Sequence, residues 1–367
     1  MTKDAVKLIA YYLPQYYPTP ENDLWWGKGF TEWTSVGKAK PLFKKHHQPR
    51  VPADLGYYDL RLPEVREEQV ALAKKYNLTG FCYYHYWFGN GKQMLNRPVD
   101  EVIESGKPDF PFCFCWANQS WTGHWFGAGN KMLIEQEYPG DADIEEHFKY
   151  LLSAFKDKRY IKFNGKPVFT ILDISSLPDP AYMAQQLNNL AVKNGFPGLY
   201  LIAGNFLPDN WDPAINHFDA VTDNSFGRTL NEATQKWNSF SSRLFFNRIT
   251  RSVIGRKRVF KKRNSISMKQ FMKYYTISNK YKVTIPVTIP NWDNTPRAFE
   301  NGIAITDADP LFFKQQLEIA FRHLSESEKH PGFIFIKSWN EWAEGNYLEP
   351  DIETGHAYLQ VIRDFYN

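Results

Sequence analysis

Eight short runs along the chain are apolar almost without interruption: Lys7–Leu13, Thr79–Phe88, Pro111–Trp116, Pro167–Asp173, Leu199–Gly204, Asp219–Asp223, Val283–Ile289 and Gly332–Trp339. They lack the in-out alternation of half-exposed strands, which is the pattern of strands covered on both faces. Helix-period stretches separate most of them. Pro63–Tyr76 opens with Pro and acids and closes with lysines, as the helix dipole favours. Asp143–Lys156, Pro180–Lys193, Pro310–Ser325 and Gly355–Phe365 read alike, with a weaker helix at Pro213–Phe218. Strands alternating with helices predict an α/β fold, a single (β/α)8 TIM barrel spanning residues 1–367. No GxGxxG or GxxxxGK[ST] follows a strand, which removes the main reason to prefer an open nucleotide-binding sheet. Two connections are too long to be plain loops: Pro14–Leu62 after the first strand and Asn224–Lys282 after the sixth. Both belong to the barrel face where active sites lie.

Composition narrows the class. Aromatic residues make up 17% of the 367, far too many for a disordered chain. Mean hydropathy is −0.51, and no apolar run approaches the ~20 residues of a spanning helix. Met1-Thr2-Lys3-Asp4 leads straight into a strand without a signal-type apolar region. Cys82, Cys113 and Cys115 lie in strand-like runs, where buried reduced thiols are expected. These features together predict a soluble cytoplasmic protein. The net charge of +4 is unevenly spread: Ala233–Lys282 holds fourteen basic residues and no acid, leaving 30 basic against 40 acidic elsewhere. A basic insertion at 224–282 in an acidic body suggests peripheral contact with an anionic membrane surface or a lipid-linked glycan, or a solvated loop. No recognition module accompanies it, so nucleic acid is not an expected partner.

The chemistry gathers at the predicted strand ends. All twelve tryptophans fall at C-terminal strand ends or in the loops beyond them, among them Trp33, Trp87, Trp116, Trp292, Trp339 and Trp342. Indole faces on one rim suit a flat ligand with C–H faces, such as a pyranose. Glu341 and Glu344 sit where the last strand gives way to loop. Two close carboxylates in an aromatic pocket cannot easily both ionise, which leaves an acid and a base near neutrality, as glycosidic cleavage requires. Tyr11, Tyr12, Glu32, His85, Asn118, Asn291, Asp293 and Asn340 are further polar groups placed to contact a substrate. The nine histidines show no ligand-type spacing, and neither a metal nor a cofactor is expected. Asp141-Ala142-Asp143 and Asp307-Ala308-Asp309 have the Asp-x-Asp form of metal-dependent transferases, but each precedes a helix and reads as an N-cap.

Five motifs carry a family likeness: Tyr11-Tyr12-Leu13-Pro14-Gln15-Tyr16, Gly29-Phe30-Thr31-Glu32-Trp33, Tyr83-Tyr84-His85-Tyr86-Trp87, Trp116-Ala117-Asn118, and Trp339-Asn340-Glu341-Trp342-Ala343-Glu344-Gly345 with Glu349-Pro350. They resemble the WbsX family of polysaccharide-locus proteins, which is similar to glycoside hydrolase family 99. The resemblance implies a retaining, metal-independent (β/α)8 enzyme acting on α-linked mannose-like sugars of a bacterial surface polysaccharide, such as an O-antigen, or of its precursor. It further implies that Glu341 is the base that deprotonates the sugar 2-OH, giving a 1,2-anhydro intermediate. Glu344 would be the acid on the leaving oxygen and then the base on water. A noncatalytic carbohydrate-binding or assembly protein, and a glycosyltransferase of surface-polysaccharide biosynthesis, are the alternative readings. The basic insertion has no counterpart in family 99.

Overall fold

A computed structural model of the protein describes residues 1–123, 131–208, 210–223, 225–232, 265–326 and 330–367. Its centre is a parallel barrel. The strands are β1 (Lys7–Tyr12), β2 (Gly80–Trp87), β3 (Phe112–Trp116), β4 (Lys166–Asp173), β5 (Tyr200–Phe206), β6 (Ala220–Thr222), β7 (Thr284–Ile285 and Val287–Thr288) and β8 (Phe333–Ile336). Each pairs with its neighbours in sequence, and β1 also pairs β8, Lys7 opposite Phe333. Pro286 divides β7: the first half pairs with β6 and the second with β8. Proline has no N–H to give a ladder, but its carbonyl still accepts from Phe335 N at 2.9 Å, so the wall closes around the break.

The helices are α1 (Pro20–Trp26), α2 (Glu32–Lys38), α3 (Pro63–Lys75), α4 (Arg97–Ser105), α5 (Asp141–Lys156), α6 (Pro180–Lys193), α7 (Met268–Met272), α8 (Thr295–Ala298), α9 (Pro310–Ser325) and α10 (Ala357–Phe365). Proline at a first-turn position and an accepting aspartate start α6 and α9: Asp179 takes the Tyr182 N–H and Asp309 the Leu311 N–H. Two expectations need correction. Asp141 is not a cap: Gly140, at φ +107°, holds that place, and Asp141 and Asp143 lie inside the first turn. Residues 213–218 form turns rather than a helix. The long connection after β1 forms α1 and α2, in keeping with a segment too long to be a plain loop.

Strand parity decides what faces the barrel axis. On β1, Tyr11 points inward and stacks between Tyr84 and Phe335 at 5.4 and 5.2 Å. Tyr12 points outward, and its hydroxyl donates to Gln69 of α3. On β2, Phe81, Tyr83, His85 and Trp87 face the helical layer, packing on Phe110, Phe112 and His147. Cys82, Tyr84 and Tyr86 take the other face. Cys82, Cys113 and Cys115 are fully buried and unpaired as disulfides, as expected, and burial pushes the Cys82 thiol up.

A second apolar cluster joins Ile266, Met268, Phe271, Tyr275, Ile289, Trp292 and Ile305. It seats the described flank of the basic insertion, where Ser265–Ser267 pairs with Ala304–Thr306, beside β7. Most of the insertion's positive charge, residues 233–264, lies outside the described residues.

Candidate active site

The site is built on the segment that follows β8. Asn340–Glu341 and Asn346–Tyr347 pair as a miniature antiparallel hairpin, with a 3-10 turn over Trp342–Glu344 and Gly345 at φ +58°. A side chain on Gly345 is excluded twice, by the left-handed backbone and by Asp293, which a Cβ would meet at 2.8 Å. The hairpin is docked by polar contacts on the chain leaving β1. Asn340 accepts from Leu13 N at 2.7 Å and donates to Leu13 O at 3.0 Å, and the Tyr16 hydroxyl donates to Asn340 O. Below it, Glu349 accepts from Trp342 Nε1 at 2.6 Å, Tyr58 Oη at 2.9 Å and Gln69 Nε2 at 2.7 Å. Burial pushes the Glu349 carboxyl up to about 7 despite these donors.

Glu341 and Glu344 are turned to the same point. Arg297, on α8, donates from Nη1 to Glu344 Oε1 at 2.8 Å and lies 3.7 Å from Glu341 Oε1. Its Nη2 donates to Glu32 Oε1 at 2.7 Å, and the same oxygen accepts from Ala343 N at 3.1 Å. Lys337 Nζ lies 3.9 Å from Glu344 Oε2 and 4.9 Å above the Trp292 ring. All three carboxylates are buried, and the Oε2 atoms of Glu32, Glu341 and Glu344 have no hydrogen-bond partner among the described residues. Buried acceptors without donors are costly. Burial and the charge of Glu344 push the Glu341 carboxyl up to about 7. Glu32 is raised as well, by burial outweighing its bond to Arg297.

Asp293 holds this arrangement from behind. Its Oδ1 accepts from Thr295 N and Oγ1 at the start of α8, which aims Arg297. Its Oδ2 takes Gln48 Nε2 and His46 Nε2, each at 2.8 Å, and its own N–H donates to Glu344 O at 2.6 Å. Burial would raise the Asp293 carboxyl, but the His46 hydrogen bond and the Arg50 charge hold it below the usual range.

The structure gathers only part of the residues expected here. Glu32, Glu341 and Glu344 converge on Arg297, with Trp292 beside Lys337, while Asp293 supports them from behind and Asn340 anchors the hairpin to Leu13. Tyr11 lies deeper, in the barrel interior. Tyr12, His85, Trp87, Trp116 and Asn118 do not face the site, a correction that strand parity explains. His85 Nε2 meets His147 Nε2 at 2.8 Å, and burial pulls His85 down to about 3. Trp87 stacks on His147, and Trp116 Nε1 donates to Trp87 O. Asn118 is spent on the backbone of Asp173 and on Ser176 and Tyr138. Trp339 and Trp342 are buried beneath the hairpin, and Trp33 donates to Tyr58 O, so these indoles pin loops rather than offer a free face. Half-buried aromatic surface lies instead at Trp121, which packs on Tyr86 at 5.1 Å and meets Trp25 at 6.1 Å. Tyr86 lies within electrostatic range of Glu341. Trp125 and Trp237 lie outside the described residues. Arg297, Lys337 and Tyr86 were not among the expected site residues, whereas Trp121 was expected only as one of the twelve rim tryptophans; Tyr86 shares the inward parity of Tyr84 and Lys337 that of Phe335.

Comparison with known proteins agrees with this architecture. A GH99 endo-α-mannosidase from Bacteroides thetaiotaomicron, solved with bis-tris propane, superposes with a TM-score of 0.57 at 15% identity, covering 98% of this chain and 96% of its own. A structure described as a glycoside hydrolase-like protein gives 0.57 and 15%, covering 99% and 94%. The fold is therefore the TIM barrel that the strand pattern predicts. The uncharacterized protein WxcX of Xanthomonas campestris pathovar campestris is 34% identical over 359 residues, 97% of this chain. The chain spans about half (49%) of the length of that relative. The family model described as glycosyltransferase WbsX matches residues 8–362, from β1 to α10, and the chain belongs to that family.

Proposed function

We propose that this chain is a retaining glycoside hydrolase or transglycosylase acting on α-linked mannose-like sugars of a bacterial surface polysaccharide or its precursor. The observation that carries the reading is the convergence of two buried carboxylates, Glu341 and Glu344, on one guanidinium nitrogen of Arg297. A carboxyl that titrates near 7 is matched to proton transfer at neutral pH. In the first assignment of roles Glu341 takes the proton of the sugar 2-OH, whose oxygen then closes on the anomeric carbon as the glycosidic bond breaks. Glu344 protonates the departing oxygen and later deprotonates the water that opens the anhydro ring at the anomeric carbon, while Glu341 returns its proton to the freed 2-oxygen. One observation favours the reverse assignment: burial, with the charge of Glu344 beside it, raises the Glu341 carboxyl to about 7, so Glu341 holds a proton closer to neutrality than an ordinary carboxyl does.

Leaving-group dependence separates the two. An activated α-manno-oligosaccharyl fluoride needs no acid, so the variant lacking the acid retains turnover on it while losing the natural glycosidic bond. The variant lacking the base loses both. Glu344→Gln is expected to behave as the first and Glu341→Gln as the second; the opposite pattern exchanges the roles, and full activity in both variants rejects the pair.

The family description favours a transferase instead. The two Asp-x-Asp segments are otherwise engaged: Asp141 accepts from Tyr182 Oη, Asp143 from Trp87 Nε1, and Asp309 caps α9. Release of nucleoside diphosphate from a nucleotide sugar in the presence of a glycan acceptor would establish transfer. Tight glycan binding without product over days would establish a binding protein.

A further inference from the structure

Glu32, Glu341 and Glu344 share two cations, and the two are held differently. Arg297 is fixed by direct bonds, from Nη1 to Glu344 Oε1 at 2.8 Å and from Nη2 to Glu32 Oε1 at 2.7 Å. Lys337 Nζ stands 3.9 Å from Glu344 Oε2, outside hydrogen-bond reach, and 4.9 Å from the centre of the Trp292 ring. That ring is itself wedged in place: Trp292 is buried and packs on Phe226 at 4.5 Å within the second apolar cluster. A flexible lysine is thereby parked over an indole face, its charge directed at the Glu344 oxygen that no hydrogen bond reaches.

The balance of charge shows what that seat does. Full ionisation of the three carboxylates against Arg297 and Lys337 leaves negative charge in excess within a buried group, and without Lys337 the excess grows. Glu341 is the carboxyl with the least support. Its closest cation contact is 3.7 Å, to Arg297 Nη1, and its Oε2 has no partner among the described residues. The other titratable groups around it add no charge: Tyr84 and Tyr86 of β2 lie within its electrostatic range, as Tyr16 does for Glu32, and burial keeps all three hydroxyls protonated. Asp293, behind α8, has His46 and Arg50 as its own partners. Lys337 is therefore the adjustable cation of the group. Its side chain is 24% exposed, against 8% for Glu341 and Glu344, so solvent screens part of its field.

We propose that Lys337 is a positioning residue of the Glu341–Glu344 pair: from its seat over Trp292, its charge sets the pH at which the Glu341 carboxyl releases its proton. A titration of the full chain without ligand tests this with no reference to turnover. With the glutamate carboxyls isotope-labelled, NMR follows the Glu341 resonance, assigned by its loss in Glu341→Gln. The parent midpoint is expected at about 7. Lys337→Met is expected to raise the proton affinity about tenfold, or roughly one pH unit, and Lys337→Arg to leave it near the parent value. An unmoved midpoint in Lys337→Met overturns the proposal. So does an equal rise in Lys337→Arg, which keeps the charge and would trace the effect to packing. If Lys337→Met does not fold, Lys337→Gln decides in the same way. Only a kinetic corollary rests on the proposed function: whichever limb of the pH–rate profile Glu341 governs moves to higher pH together with the resonance. A resonance that moves in a protein without turnover on α-mannosides upholds the role of Lys337 and counts against the hydrolase reading instead.

Discussion

Arg297 donates to Glu344 at 2.8 Å from a helix of only four residues, Thr295–Ala298, and the same guanidinium reaches back to Glu32 in the long connection after β1. One cation thus ties the ends of three segments that are distant in sequence. Removing it leaves three buried carboxylates facing one another. Arg297→Met is expected to cost about 3 kcal/mol or more of stability, measured by urea unfolding. Adding Glu32→Gln to that variant should restore part of the loss, because the two residues are coupled. Simple additivity of the two losses would show that the ion pair is not the link.

Glu349 gives a pH dependence of definite sign. Its carboxyl keeps a proton up to about pH 7 in the fold, but releases it near 4.5 when unfolded. Between those values the native state binds more protons, so stability falls as pH rises, by roughly 3 kcal/mol for this group. The loss is complete above about pH 8. Glu349→Gln cannot titrate and should show a flatter stability curve between pH 5 and 8; an unchanged slope would clear Glu349 of the effect.

His85 and Tyr86 are adjacent but face opposite ways. His85→Phe loses the contact with His147 and should lower stability by about 1–2 kcal/mol while leaving kcat near the parent value. Trp121→Ala, on the Tyr86 side, should raise KM for a manno-oligosaccharide about tenfold with little change in stability. Reversal of this pattern would put the substrate on the wrong side of β2.

Glu32 supplies a buried oxygen with no donor. Glu32→Gln preserves shape and still accepts from Ala343 N, so the fold should survive by circular dichroism. Turnover is expected to fall about 100-fold or more, because the neutral amide no longer balances the Arg297 charge, which then falls wholly on Glu341 and Glu344 and alters their proton transfer. Wild-type turnover in this variant would make Glu32 a scaffold residue only.

The barrel was legible because its strands are continuous apolar runs; the spans at Pro180–Lys193 and Pro310–Ser325 match α6 and α9 residue for residue. The carboxylate pair was legible because a dense aromatic motif ends the last strand. Strand-end residues were harder. Tyr84, His85, Tyr86 and Trp87 are all polar-tipped aromatics, so composition gave no sign of which pair faced inward. The inward register follows from Cys82 beside Cys113 and from Tyr84 against Tyr11, contacts between strands that a single sequence does not display. Arg297 was invisible for a related reason: a lone arginine after a proline carries no periodicity, and its role arises only where Glu32 and Glu344 meet it.

The three thiols inside the barrel offer a use beyond packing. Cys82, Cys113 and Cys115 are sealed beneath the Tyr11–Tyr84 stack, with no exposed surface. A maleimide or aromatic disulfide reagent can therefore reach them only when the wall parts. The time course of labelling becomes a clock for opening of the molecule that needs no introduced cysteine, and any ligand that binds only the closed barrel should slow it.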